Sequence, residues 1–333
     1  MVATLPLELK LVDLSAVQTA LQARATRRYE DDREHDNRIK IVAFANGKGG
    51  VGKSSTSAAF AVAAARQGAR VLLVELDPQG NNAEDLGFVR SDIADDGRAQ
   101  AAAILNSRPL TPTGSPRKNL FVVPGGDALE EITEELYCQR RLASQTGDTT
   151  WLGMYAASLE QVYDDYDLII LDVAPGILVL QLQALVAADV VIVPSKSDPS
   201  SRKGLRLITR RFGEALQYND SLVMLGVVLF AAGSSATRVK KGIRDDLKRD
   251  LAGTEVPVFE TDIRHVEAVA VEARRRGLVP QELLKEKDLD ASLRKSAQDL
   301  ARDYGALTGE VLQAINQLRE SLNEAEEMEE ASA

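Results

Sequence analysis

Seven short apolar runs recur along the chain: IKIVAFA (39–45), RVLLVEL (70–76), LFVVPGG (120–126), YDLIILDV (166–173), DVVIVP (189–194), LVMLGVVLF (222–230) and VPVFET (256–261). Each is rich in Val, Ile and Leu, and each is continuous rather than alternating. A strand that is apolar on nearly every residue is covered on both faces, which is the condition of a parallel sheet between two helical layers. Helical patterns separate most of the runs. SSTSAAFAVAAARQG, for example, reads as an alanine-rich helix closed by Gly68. The pattern predicts an α/β fold: a mostly parallel, twisted sheet flanked by helices on both faces.

The ends are built differently. Residues 1–38 form an extension in which DLSAVQTALQARATRRY predicts a helix opened by Ser15, with Val17 and Leu21 on one face, followed by the polar linker EDDREHDN. The Pro/Ser/Thr-rich stretch 93–118 reads as a loop. After Asp288 the pattern is helical to about Leu322. The organisation expected is an N-terminal helical arm and linker (1–38), the α/β domain (39–318) and an acidic, disordered tail (319–333).

Composition excludes several classes. The single cysteine, Cys138, rules out a disulfide framework, a CxxC pair and a cysteine-only metal site within one chain, and only two histidines, His35 and His265, are present. The first residues lack the basic start and long apolar run of a secretory leader. The most apolar region, 168–194, is broken by Asp172, Pro175, Gly176, Gln181, Gln183 and Asp189, and reads as buried strands and a helix. A cytoplasmic location is expected. Net charge is −10, but six glutamates with no Lys or Arg crowd residues 320–333, which leaves −4 for everything before them and room for local basic faces.

The chemistry sits after the first run. NGKGGVGKSS completes G-x-x-x-x-G-K-[ST] with Gly47, Gly52, Lys53 and Ser54. Glycines let backbone N–H groups curl around phosphate oxygens, the next helix offers its positive end, Lys53 reaches the terminal phosphates and Ser54 ligates Mg2+. Gly49, Gly50, Val51 and Ser55 belong to the same loop. A P-loop NTPase also needs a carboxylate at the end of a neighbouring apolar strand, and YDLIILD supplies Asp172. Lys48, directly after the first glycine, is surplus to this pattern.

KGGVGKSS, VLLVELDPQGN and YDLIILDVAPG together resemble the nucleotide motifs of the ParA/MinD group of deviant Walker ATPases. NLFVVPGG, PVFETDIRHVEAVAVEARRRG and ARDYGALTGEVLQ extend the likeness over most of 39–315. The resemblance implies an ATPase that takes ATP and Mg2+. It gives Lys48 the role of a lysine that crosses a dimer interface to the partner's nucleotide, where an added cation stabilises charge on the γ-phosphate. It gives Asp77 the role of orienting the attacking water and places it with Ser54 and Asp172 at the metal site. The chain departs from the family in three places. Glu75 stands where Asp is usual; Ala174 replaces a common second proline, so the loop after Asp172 is expected to be looser; and Phe230 and Ala231 follow GVVL where an adenine-contacting asparagine often stands. The adenine pocket is expected around Pro257–Thr261.

ParA-type proteins bind DNA without sequence preference as ATP dimers, and basic rows for this are present. In SSRKGLRLITRRFGEAL, Leu205, Ile208, Phe212 and Leu216 make an apolar stripe, while Arg202, Arg206 and Arg210 recur four apart with Lys203 beside them. In TRVKKGIRDDLKRDL, Lys240, Arg244 and Lys248 form a second row with Lys241, opposite Val239, Ile243 and Leu247, and EARRRG adds Arg274, Arg275 and Arg276. Such rows supply a salt-sensitive, sequence-independent affinity. The function expected is a nucleoid-associated DNA partition ATPase: a homodimer on ATP, stimulated by a ParB-type centromere-binding protein and independent of membrane. The alternatives are a MinD-like positioning ATPase, which the acidic C-terminal stretch disfavours on anionic lipid, and a nucleotide-gated scaffold.

Overall fold

The computed structural model describes residues 12–30, 39–196, 199–232, 237–251, 254 and 256–332. Its strands are β1 (Ile41–Phe44), β2 (Val71–Leu76), β3 (Gly114–Arg117), β4 (Leu120–Val123), β5 (Leu168–Val173), β6 (Val190–Ser195), β7 (Val223–Ala232) and β8 (Val258–Arg264). Its helices are α1 (Ser15–Glu30), α2 (Lys53–Arg66), α3 (Asn81–Asp85), α4 (Arg98–Leu105), α5 (Leu129–Thr146), α6 (Met154–Glu160), α7 (Leu178–Ala187), α8 (Pro199–Ala215), α9 (Thr237–Asp250), α10 (Glu267–Arg276), α11 (Pro280–Leu283) and α12 (Ala291–Ser332). The strands form one sheet in the order β3-β4-β2-β5-β1-β6-β7-β8, parallel except for the β3–β4 pair.

Alternation along the strands explains the two cores. Leu72, Val74, Ile169 and Leu171 point into one cluster, with α4 to α9 and the arm, while Val71, Leu73, Leu168 and Ile170 point into the other, under α2 and α10 to α12. Continuous apolar runs are what a sheet covered on both sides requires. Along α12 the buried residues Ala297, Leu300, Ala301, Tyr304, Leu307, Val311 and Ile315 make one stripe at helical spacing.

Two stretches differ from the sequence expectation. The segment 93–118 holds α4 and the edge strand β3, in which Ser115 donates its hydroxyl to the carbonyls of Arg117 and Leu120. Polar composition and Pro116 hide such a strand, because an edge strand needs only one partner. Helix α12 continues to Ser332, through the region expected to be disordered, as an extension of a helix already nucleated by its packed half.

The arm holds the expected helix from Ser15. Residues 1–11 and the linker 31–38 lie outside the described residues, but α1 docks on its own chain. Val17 is fully buried and Leu21 lies against Gly153. Arg24, buried, donates to the carbonyls of Val186 (3.3 Å) and Ala187 (2.9 Å) at the end of α7 and lies 3.9 Å from Asp189. A guanidinium at a helix C-terminus meets both the unpaired carbonyls and the negative end of the helix dipole.

Candidate nucleotide-binding site

Strand β1 lies between β5 and β6, where the chain passes from one side of it to the other. A parallel sheet opens a crevice at such a point, beyond the carboxyl ends of its strands. The glycine loop fills it. Gly50 and Gly52 take left-handed backbone conformations (φ 69° and 88°), which a side chain disfavours, and Gly52 caps α2. Lys53 is buried, and its Nζ donates to the carbonyl of Lys48 at 3.1 Å. Burial lowers the Lys53 pKa, while Asp172 and then Asp77 hold it up.

Two carboxylates, Asp172 and Asp77, act on this lysine from two neighbouring strands, and Glu75 lies beside Asp172. Asp172 ends β5 opposite Glu75 of β2, and Asp77 follows β2. Burial raises Asp172 to about 7, against the pull of the Ser54 hydroxyl and Lys53. Burial also raises Asp77, opposed by the N–H of Gln79 and by Lys53, and raises Glu75 well above its usual range, with Asp172 adding to the effect. Asp172 Oδ1 is buried without a hydrogen-bond partner. Concentrated negative charge, an orphan oxygen and the Ser54 hydroxyl fit a divalent cation. Among the described residues no group of three or more acidic, His or Cys side chains forms a metal cage, and Mg2+ does not need one, since phosphate oxygens and waters complete its shell.

Residues that the motif does not include hold this arrangement together. Asn46, fully buried, donates Nδ2 to the Pro194 carbonyl (2.7 Å) and accepts from the Lys48 N–H (2.9 Å). Asn82 joins α3 to Asp172. Gly125 lies so close to the Asp77 carbonyl that a Cβ would stand 2.1 Å from it. The sequence alone does not mark Asn46, Asn82 and Gly125, because each has a partner distant in the chain. Ala174 reverses an expectation. Its N–H, which a proline would lack, donates to the Leu76 carbonyl (3.0 Å), and its carbonyl accepts from Gln181 (3.2 Å), so the loop after Asp172 is held at Ala174.

On the β7 side, the Phe230 ring lies over Gly52, where a Cβ would stand 2.2 Å from it. Beside it is a cavity of about 310 Å3 lined by Ser55, Phe230, His265, Val266, Asp85 and Tyr304 among others. This cavity lies beyond the end of β8, and residues 257–261 are not among those that line it.

The basic residues divide. Lys203, Arg206 and Arg210 are exposed on α8 with Leu205 and Ile208 buried beneath, while Leu216, assigned to the apolar stripe, is 36% exposed. Lys241 and Lys248 are exposed on α9. The side chains of Arg202 and Lys240 lie outside the described residues. Arg244 is turned inward, donating to the carbonyls of Phe259 and Glu260 and to Asp262. Arg275 pairs with Glu272, Arg274 with Asp85 and Arg276 with Asp288. Helical spacing alone does not reveal that carboxylates face these arginines.

A family model described as an AAA domain matches residues 39–224. The chain is 31% identical over 224 residues to the chromosome partitioning protein ParA of Myxococcus xanthus (strain DK1622), covering 66% of this chain and 75% of that protein. In fold it is similar to apo McdA of Cyanothece, with TM-score 0.63 and 19% identity over 84% of this chain and 100% of the other. It is also similar to cobyrinic acid a,c-diamide synthase of Mycobacterium smegmatis with bound ADP and magnesium, with TM-score 0.58 and 26% identity over 71% of this chain and 91% of the other. Among the described residues no helix is long and apolar enough to cross a membrane.

Proposed function

The chain belongs to the ParA-type P-loop ATPases, and we propose that it is a DNA partition ATPase whose ATP-bound form is a sandwich dimer on non-specific DNA. A ParB-type centromere-binding protein stimulates slow hydrolysis and releases it, in the cytoplasm and at the nucleoid. The observation that supports this best is the buried carboxylate group around Lys53, with the orphan Asp172 oxygen at its centre.

In this reading the loop amides of Gly49 to Ser55 and the Lys53 ammonium hold the phosphates. Ser54 and Asp172, with Asp77 beside them, would hold Mg2+. Bound there, Mg2+ supplies positive charge at the phosphate oxygens. Asp77 orients the attacking water and accepts its proton as the water oxygen bonds to the γ-phosphorus and the bond from that phosphorus to the bridging oxygen of the leaving ADP breaks, a task that its raised pKa suits. Lys48 extends to the partner's nucleotide, so binding ATP and forming the dimer become one event. The exposed lysines and arginines of α8 and α9 meet DNA phosphates, doubled in the dimer. The glutamate-rich end of α12 weighs against an anionic membrane as the surface read.

Sedimentation with ATP and Mg2+, or with ADP, tests the reading alongside a DNA gel shift. The wild type is expected as a dimer only with ATP, Lys53→Ala as a monomer that binds no nucleotide, and Asp77→Ala as a dimer that persists. A wild type that stays monomeric with ATP, or that shifts DNA equally with ATP and ADP, sinks it.

A further inference from the structure

Helix α8 and the lysine loop meet backbone to backbone. A Cβ on Gly204 would stand 2.4 Å from Asn46 Oδ1, 2.8 Å from Lys48 Cβ and 3.2 Å from the Lys48 nitrogen. From the other side, a Cβ on Gly47 would stand 2.8 Å from Leu207 Cβ and 3.1 Å from the Gly204 carbonyl oxygen. Glycine inside a helix is disfavoured relative to alanine. At Gly213, on the same helix, nothing lies within 4 Å of an added Cβ. Gly204 therefore has a packing reason that Gly213 lacks, and what it packs against is the main chain that carries Lys48.

We propose that Gly204 is a positioning residue for Lys48: its missing side chain lets α8 close on Asn46 and Lys48, and this contact sets the direction in which the Lys48 side chain leaves the loop. Asn46 shares this contact, tied to β6 through the Pro194 carbonyl and to Lys48 through its N–H. The Lys48 N–H is thus fixed by a buried amide while its Cβ abuts a helix backbone. The same helix turns Lys203, Arg206 and Arg210 outward, so the loop that reaches the partner's nucleotide and the basic face share one rigid element. The inference rests on the reading of Lys48 as the lysine that acts across the dimer.

The test compares Gly204→Ala, Gly213→Ala, Lys48→Ala and the double variant Lys48→Ala/Gly204→Ala in the full chain. ADP affinity, thermal midpoint and ATP-dependent dimerisation are measured for each. ADP affinity of Gly204→Ala is expected within about two-fold of wild type, and its dimerisation weakened about ten-fold or more, the scale of a methyl forced into a closed contact. Gly213→Ala should dimerise as wild type does. The double variant should dimerise no worse than Lys48→Ala, because the two changes act through one side chain. Wild-type dimerisation by Gly204→Ala overturns the inference, as does a matching fall in ADP affinity or losses that add in the double variant. If wild type dimerises with ATP and Lys48→Ala does so equally well, the reading of Lys48 falls, and this inference with it.

Discussion

Glu75 and Asp172 lie side by side in register on β2 and β5, and Asn82 spans them: its backbone N–H donates to Glu75 Oε1 and its side-chain amide to Asp172 Oδ2, each at 3.0 Å. Glu75 Oε2 accepts from Gly125 N–H at 3.2 Å. One buried carboxylate thus fastens the start of α3 to the loop after β4, and Asp77 sits between those two segments, its carbonyl accepting from Gly80 and Gly126.

Removing that clasp is expected to cost stability first and Asp77 placement second. Glu75→Ala leaves two buried N–H groups without acceptors, a loss of about 2–4 kcal/mol by chemical denaturation. Glu75→Asp, one methylene shorter, should lose about half as much, since it reaches one donor more easily than two. Stability of Glu75→Ala equal to wild type would show that the clasp carries no weight.

The pH dependence of the nucleotide-free protein follows from Asp172. Burial raises its pKa from 3.8 to about 7, so between those values the folded chain keeps a proton that the unfolded chain has released. Stability falls as pH rises through that window, by about 4 kcal/mol in all, and the loss is complete above about pH 7. Glu75 shifts in the same direction. Asp172→Asn cannot ionise and escapes this term, so thermal melts at about pH 5.5 and about pH 8 should show the variant gaining on wild type as pH rises. With ATP and Mg2+ present the order should reverse at the higher pH, where the wild-type carboxylate is drawn into its charged form. A gap between the two proteins that does not change with pH would contradict the burial argument.

Arg24 tests the arm. The guanidinium is buried against the Val186 and Ala187 carbonyls beside Asp189, and Asp189 Oδ2 accepts from the N–H groups of Lys40 and Ile41 at the start of β1. Arg24→Ala should destabilise by about 3 kcal/mol, the scale of breaking a buried charge pair. ATP-dependent dimerisation should survive below the new melting temperature, because α1 docks on its own chain. Loss of dimerisation with an unchanged melting temperature would instead put the arm on the partner.

How far the sequence disclosed this depends on the range of each interaction. All seven apolar runs are strands, since continuous burial on two faces leaves a continuous apolar trace. The loop Gly47–Ser54 was legible because its partner, phosphate, demands glycines and a lysine at fixed spacing. Gly114–Arg117 was not, since an edge strand of Gly, Ser, Pro and Arg carries no hydrophobic signal. The end of α12 was hidden for the opposite reason: its helix is inherited from the packed turns before Leu318, not from its own glutamates. Asn46, Asn82 and Gly204 were invisible because each is explained only by a neighbour brought close by the fold. Arg244 shows the same limit in a basic row. The spacing was right for an exposed face, and Asp262 on β8 took the side chain inward.

That division of the arginines gives the sharpest test of the DNA face. Each phosphate contact steepens the dependence of log affinity on log salt by about 0.9. Lys203, Arg206 and Arg210 are exposed on one helix, and a dimer carries two copies of it. If each side chain meets a phosphate, the triple alanine variant should lower the slope by about 5 and weaken binding alike on every DNA sequence. Arg244→Ala should leave the slope alone. It should lower the melting temperature instead, because it strips partners from the Phe259 and Glu260 carbonyls and from Asp262, against which the guanidinium is packed. Measuring both variants over a salt series separates the two roles. A slope change in Arg244→Ala with no loss of stability would return that residue to the DNA face, and an unchanged slope in the triple variant would move the face away from α8.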